Sequence, residues 1–450
     1  MKLTFLGGTG TVTGSKYLLE NNGFKILIDC GLFQGMKDLR LRNWDKFPLD
    51  PASINAVVIT HAHIDHTGYL PVLMKKGFKG PIYSTEATFD LCQVLLRDAG
   101  KLQEEDAEYA NKKGYSKHDP AEPLFTIEDA EKVLTLFKPQ KFHAPFDLGP
   151  TKVNFIPSGH ILGSALVNLK TNDKSVLFTG DLGRPEDLIM LPPETVSVAD
   201  CLIIESTYGN RVHEKLNPLI KLESVLKKAL DRNGVVMIPA FSIGRTQAFL
   251  YAVHLLKAQK KIEDVPVYLN SPMSISAMDI YCKHRSEHRL NPDQCHSMCS
   301  TAKYVRLVDE SIKLNSKKGP MIIISASGMA TGGRILHHFK AFGPDKNNMI
   351  VLAGFQAAGT RGRLLLEGKK SLKIHGKEIA MNAEVELVDG FSAHADQNEL
   401  LEWLKNFTTP PKTIFVTHGE PEASLALKNK IQVELNWNAV VPEYLQTVEL

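Results

Sequence analysis

The chain has 450 residues, 43% of them hydrophobic and 23% charged, with a formal net charge of +3. These totals are ordinary for a soluble globular protein and leave room for two substantial cores. They exclude any argument for nucleic-acid binding from charge alone. No apolar run reaches the roughly 18 residues a membrane span requires, and the start is too short in apolar residues for a signal peptide. Six cysteines without a C-x-x-C pair fit a reducing compartment. A cytoplasmic protein without membrane contact is therefore expected.

In chain order, Leu3–Leu6 reads as a first strand, turned by Gly7-Gly8-Thr9-Gly10 into a second over Ser15–Glu20. Gly7, Gly10 and Gly14 are followed by no Gly-Lys-Ser or Gly-Lys-Thr, so a turn is preferred to a phosphate loop. Phe24–Asp29 is a third strand, and Asp29 is placed as a buried carboxylate that orients a metal-binding loop. The apolar run Ala56–Ile59 then delivers His61, His63, Asp65 and His66 within six positions. Imidazole nitrogen and carboxylate oxygen at this density suit zinc, with manganese and iron as rivals. His61 and His63 lie two apart, so an extended backbone aims both the same way, and Asp65 and His66 follow where the chain turns.

Residues 85–111 carry mostly helical periodicity. Then apolar strands repeatedly end in one polar residue. Val153–Gly159 delivers His160, Val176–Gly180 delivers Asp181, and Leu202–Ile204 delivers Glu205. From 208 the pattern becomes strand–helix alternation, beginning with an Asn217 cap and Pro218 at a helix start. Strands at 235–239, 265–269, 321–325 and 349–353 predict a parallel, doubly wound sheet. The loops after them carry Arg245, Ser327, Gly328, Arg334, Arg361 and Arg363, residue types that suit phosphate at the carboxyl ends of parallel strands. The region Cys282–Cys299, with His284, His288, Cys295 and His296, matches no familiar zinc module, and a helix with a polar loop is preferred to a structural metal there.

After about 373 the polar-ended strands return. Glu384–Val388 leads to His394, and Thr413–Thr417 delivers His418. The economical topology is an insertion, with residues 1–207 and 373–450 forming one domain around an inserted domain at 208–372. That topology would bring His394 and His418 back to the metal site.

Asp29, the His61-x-His63-x-Asp65-His66 run, His160 and Asp181 resemble, in order, the core motifs of the metallo-β-lactamase superfamily. Glu205, His394 and His418 resemble the further motifs of its β-CASP nucleic-acid-processing branch, and the likeness is greatest to compact prokaryotic members related to the cleavage-and-polyadenylation endonuclease. The resemblance spans essentially the whole chain. It implies an αββα sandwich with an inserted parallel α/β (β-CASP) domain and two zinc ions. It assigns His61, His63 and His160 to one ion, Asp65, His66 and His418 to the other, and Asp181 to both. Asp65 is also counted with the catalytic residues. His394 would then protonate the leaving 3′-oxygen with Glu205 orienting it. The expected activity is hydrolysis of single-stranded RNA, with DNA as an alternative substrate and endonuclease and 5′-exonuclease action both open. Homodimerisation is common among such proteins. A small-molecule metallohydrolase such as a thioesterase or lactamase, or a non-catalytic RNA-binding scaffold, is the competing expectation.

Overall fold

The computed structural model describes every residue except 115, 117, 172, 215 and 216, together with the side chain of residue 389. Contacts divide the chain into two compact units. The first comprises Met1–Pro185, Pro192–Val212 and His394–Leu450; the second comprises Glu186–Leu191 and His213–Ala393.

The first unit is built on two seven-stranded sheets. One runs, in spatial order, Thr447–Glu449, Lys2–Phe5, Tyr17–Asn21, Phe24–Ile28, Ala56–Val58, Ile82–Thr85 and Phe137–Gln140. The other runs Ala439–Val440, Thr413–Thr417, Cys201–Glu205, Ser175–Phe178, Ala165–Lys170, Thr151–Pro157 and Phe146–Leu148. Alternation along the strands decides what each face covers. Val167 and Leu169 point into the core shared with Leu3, Phe5, Ile26, Ile28 and Val58 of the first sheet. Leu166 points the other way, with Leu202, Ile204, Ile414 and Val416, onto Leu400, Leu404, Leu427 and Ile431. Those last four belong to the helices Gln397–Leu404 and Pro421–Leu435. The long helix Glu86–Lys113 is capped by the Thr85 side chain and closed by a left-handed Gly114. The result is helix, sheet, sheet, helix, as expected.

The second unit holds a six-stranded sheet in the order Lys303–Tyr304, Val267–Leu269, Met321–Ser325, Val235–Pro239, Met349–Ala353 and Glu384–Val388. Every pairing in it is parallel. Its inner strands are apolar without alternation because both faces are covered: Ile322, Ile323 and Ile324 are all fully buried. The helix Pro218–Leu230 starts as the sequence suggests, with the Asn217 side chain accepting from Leu219 N–H.

One expectation needs correction. Glu384–Val388 was grouped with the returning first domain, yet it pairs in parallel with Met349–Ala353 across five residues. The second unit therefore continues to Ala393, and the chain rejoins the first unit at His394 rather than near 373. Glu384 and Glu386 alternate there with Val385 and Leu387, unlike the continuous apolar run of its neighbour Met349–Ala353, so the pattern does not mark it as a strand of that sheet. Among the described residues, no helix is long and apolar enough to cross a membrane.

Candidate metal centre

Strand Ala56–Val58 ends three residues before His61, and a single helical turn, Ile64–Thr67, follows with His63 at its N-cap. This turn aims four side chains inward over a short span. Gly31 admits them, since a Cβ there would lie 1.5 Å from the Asp65 carbonyl oxygen. Two residues of the centre adopt left-handed backbone without being glycine: Asp29 at φ 58° and His418 at φ 49°. Such conformations cost on the order of 1 kcal/mol or more each and persist only where neighbours enforce them. Here Asp29 N–H donates to Val58 O at 2.9 Å, and His418 N–H donates to Gly8 O at 2.6 Å.

Two groups of donors result. In the first, His61 Nε2 lies 3.1 Å from His63 Nδ1, and His160 Nε2 lies 3.2 Å from the same atom. Asp181 Oδ2 lies 3.4 Å from His61 Nε2 and 3.5 Å from His160 Nε2. A tetrahedral ion bound to nitrogen and oxygen at about 2.0–2.1 Å places its ligands roughly 3.4 Å apart. The spacing of these four atoms thus fits a metal ion. In the second group, His66 Nε2 lies 3.1 Å from His418 Nε2, and Asp65 Oδ2 is 3.4 Å from His418 and 3.8 Å from His66. Asp181 Oδ1 lies 3.3 Å from His66 Nε2 and 3.4 Å from His418 Nδ1. Asp181 therefore faces both groups, one oxygen to each. Among the described residues, that buried Oδ1 meets only these two imidazoles and no well-placed hydrogen-bond donor, which suits an atom left for a cation.

The electrostatics agree. Burial pushes His61 well below its ordinary pKa, and the neighbouring His66 adds to the effect. Burial likewise lowers His63 to about 4. Both are held neutral, as ligands must be. For His66, burial opposes a charge, but Asp181 and Asp29 together outweigh it and raise its pKa. His418 is raised in the same way by Asp181 and Asp65. Burial also opposes charge on Asp181, yet His418, His66 and His61 hold its carboxyl well below the usual range. Buried carboxylates drawing protons onto nearby imidazoles express a demand for positive charge.

The supporting shell is equally specified. Asp29 Oδ2 sits 2.7 Å from His66 Nδ1, which leaves His66 Nε2 facing the centre. Thr60 fixes Asp29 in turn, donating from its amide at 2.8 Å and its hydroxyl at 2.8 Å, and its hydroxyl lies 3.1 Å from His61 Nδ1. Thr207 Oγ1 lies 3.2 Å from His418 Nδ1. Neither threonine was singled out from sequence, though each stands within two residues of a site residue that was. Glu205 is buried and accepts from Leu182 N–H at 2.6 Å and from Thr207 N–H at 3.3 Å. Both its oxygens lie 3.2 Å from His394 Nδ1, and Asp181 Oδ2 is 3.9 Å from that atom.

The strand-end loops of the second unit behave differently. Arg245 is buried. Arg334 donates to Asn270 Oδ1 at 2.8 Å, to Val305 O at 3.0 Å and to Arg306 O at 2.9 Å. Arg361 donates to Lys373 O at 3.1 Å and Thr331 O at 3.0 Å. Arg363 pairs with Glu367 at 2.7 Å. Ser327 Oγ lies 2.9 Å from Thr331 Oγ1, and Gly328 gives its carbonyl to Gln356 at 3.2 Å and has no room for a Cβ beside Phe241. Arg334, Arg361, Arg363 and Ser327, expected to contact phosphate, thus each have a partner within the protein. In the Cys282–Cys299 region, the Cys282 and Cys299 sulfurs are 3.7 Å apart and Cys295 lies 3.8 Å from His288. Among the described residues, no cysteine joins a group of donors close enough to share an ion.

The family comparisons agree with this geometry. Residues 9–211 match the metallo-beta-lactamase superfamily, residues 246–365 the Beta-Casp domain, and residues 378–442 the Zn-dependent metallo-hydrolase RNA specificity domain. The chain is 34% identical to "Ribonuclease TTHA0252" of Thermus thermophilus, covering 95% of each chain. It is 32% identical to "Transcription termination factor FttA" of Methanosarcina mazei, covering all of this chain and 72% of that protein. It is 31% identical to an "RNase J-like protein" of Methanocaldococcus jannaschii, over 98% of this chain and 97% of that one. A crystal structure of a protein of unknown function from Enterococcus faecalis shares the fold at a TM-score of 0.54 and 16% identity, over 100% of this chain and 99% of that one. The chain therefore belongs to the β-CASP branch of the metallo-β-lactamase superfamily and is a metal-dependent hydrolase.

Proposed function

We propose that the protein hydrolyses phosphodiester bonds of single-stranded RNA, using two zinc ions. His61, His63 and His160 would hold one ion, Asp65, His66 and His418 the other, and Asp181 both. Bound there, zinc supplies Lewis acidity and water activated at neutral pH. The ribonuclease names of two relatives and the RNA specificity domain match support the substrate class.

The observation that carries the reading is the His394–Glu205 pair beside the donor groups. A carboxylate held by two backbone amides and bonded to Nδ1 orients the imidazole. Nε2 is then the nitrogen that meets the leaving 3′-oxygen and gives it a proton. Glu205 acts through His394 and is a positioning residue. Asp29 and Thr60 do the same for His66. A thioester's thiolate leaves without a proton, so this donor favours a phosphodiester over a thioester.

The test is cleavage of a 5′-labelled single-stranded RNA, resolved to single nucleotides. Native protein should cut, and chelator-treated protein should not until zinc is restored. His394→Ala should retain its zinc and cut about 10²- to 10⁴-fold more slowly. Internal products indicate an endonuclease, and immediate labelled mononucleotide a 5′-exonuclease. Failure of the zinc-loaded protein to cut RNA at all would remove the reading.

A further inference from the structure

The segment 36–46 leaves the first unit between firm anchors. Asn43 clamps Phe33, accepting from its amide at 2.9 Å and donating to its carbonyl at 2.8 Å. The buried Phe47 stacks on Tyr69 with ring centres 5.8 Å apart. The Arg42 guanidinium lies 4.5 Å from the Tyr444 ring centre and 5.6 Å from that of Phe33. Just upstream, Cys30 N–H donates to His66 O at 2.7 Å and Leu32 N–H donates to Ile64 O at 2.9 Å. The segment is therefore a braced outgrowth of the loop that carries the metal ligands.

Its outer face is apolar where a solvated loop is normally polar. Trp44 is 57% exposed, and Met36 and Leu41 are 50% exposed. Among the described residues, the indole of Trp44 has no aromatic, cationic or hydrogen-bonding partner. The other two of the three tryptophans differ. Trp403 is buried and donates to Glu194 O at 2.9 Å, and Trp437 packs edge-on against Phe407. The same segment carries four cations, Lys37, Arg40, Arg42 and Lys46, against Asp38 and Asp45. Lys37, Arg40 and Lys46 form no ion pair among the described residues.

An indole open to solvent on an anchored segment that also carries cations without ion pairs is the arrangement that receives single-stranded nucleic acid. The ring stacks on a base, and the cations meet adjacent phosphates. An apolar protein partner would explain Trp44 but not the surplus of positive charge beside it. We propose that Trp44 is a stacking platform for one base of the RNA strand, with Lys37 and Arg40 holding neighbouring phosphates. The proposal rests on the RNA reading above and adds a contact outside the metal centre.

The chemistry gives a direct readout, because Trp44 is the tryptophan left open to a stacking base. The full-length protein is titrated with a fluorescein-labelled, phosphorothioate-substituted single-stranded RNA, which is cut slowly. RNA anisotropy is read in parallel with the quenching of tryptophan emission by an unlabelled copy. Binding should quench the emission. Trp44→Ala should abolish the quench and weaken binding about 5- to 100-fold, whereas Trp44→Phe should keep most of the affinity. If anisotropy rises without quenching and Trp44→Ala binds as tightly as the native chain, the platform is wrong and the RNA reading stands. Absence of any anisotropy change would overturn both. If Trp44→Ala alters only the sedimentation of the protein, the face is a contact between copies and the proposal fails.

Discussion

The ends of the strands in the two units carry the same kind of signature, a polar side chain just beyond an apolar run, and the two units use it differently. In the first unit the polar ends are short. Histidine and aspartate cannot reach far along the backbone, so His61, His160 and Asp181 meet one another. In the second unit the polar ends are arginines. A guanidinium reaches several ångströms and carries five donors, so Arg334 and Arg361 bind the carbonyls of neighbouring loops. Short ligands converge and create a demand for an ion; long donors satisfy their surroundings and fix loop shape.

The sharpest way to break that contrast is to remove the residue on which convergence depends. Asp181→Ala takes one oxygen from each donor group. Metal content after extensive dialysis should fall, and cleavage should drop by more than about 10³-fold, since on the proposed assignment both ions would lose a shared ligand. Chelation of the native chain should mimic the variant. Retention of the full metal content by Asp181→Ala would show that the two groups bind independently.

Arginine removal should instead be felt as stability. Arg334 serves three acceptors, so Arg334→Ala should cost about 2 kcal/mol in denaturant unfolding, with metal content unchanged. Arg363, whose partner Glu367 is on the same exposed helical turn, should cost under about 0.5 kcal/mol when replaced by Ala. Weaker RNA binding by Arg363→Ala, without lost stability, would identify it as the phosphate contact among these arginines. Equal stability losses for both would remove the distinction drawn here.

Much of this was legible in the sequence, and the failures share a cause. The cluster from His61 to His66 announces itself because ligand atoms within six residues need only one turn to converge. His394 and His418 could be placed only through the insertion topology, and there the boundary slipped. Glu384–Val388 alternates glutamate with apolar residues, unlike the inner strands of the sheet it joins, and only its pairing with Met349–Ala353 decides. Thr60 and Thr207 were missed because a threonine beside a histidine looks like any strand residue until its hydroxyl partner is known. The partners of the arginines were not legible, because residue type states what an arginine can bind and not what already lies within reach.

A pH-dependent effect concerns a buried histidine of the second unit, outside the candidate metal centre. His338 is fully buried between Asn270 and Asn315. Arg334 donates to Asn270 Oδ1, so the Asn270 amide must present its NH₂ group to His338 Nε2, at 2.8 Å. That donor leaves Nε2 no room for a proton, while Nδ1–H donates to Asn315 Oδ1 at 2.7 Å. Burial, with His337 and Arg334 nearby, lowers the His338 pKa to about 3. The unfolded chain takes up its proton near 6.5 and the folded chain does not. Stability from this group is therefore complete above about pH 6.5 and is lost as pH falls toward 3. By pH 5.5 the loss should be roughly 1 kcal/mol, seen as a lower denaturant midpoint. His338→Gln cannot titrate there, so its midpoint should fall less over the same interval, even if it starts lower. Parallel pH profiles for the two chains would mean that His338 titrates alike in the folded and unfolded states, and that Arg334 does not lock the amide.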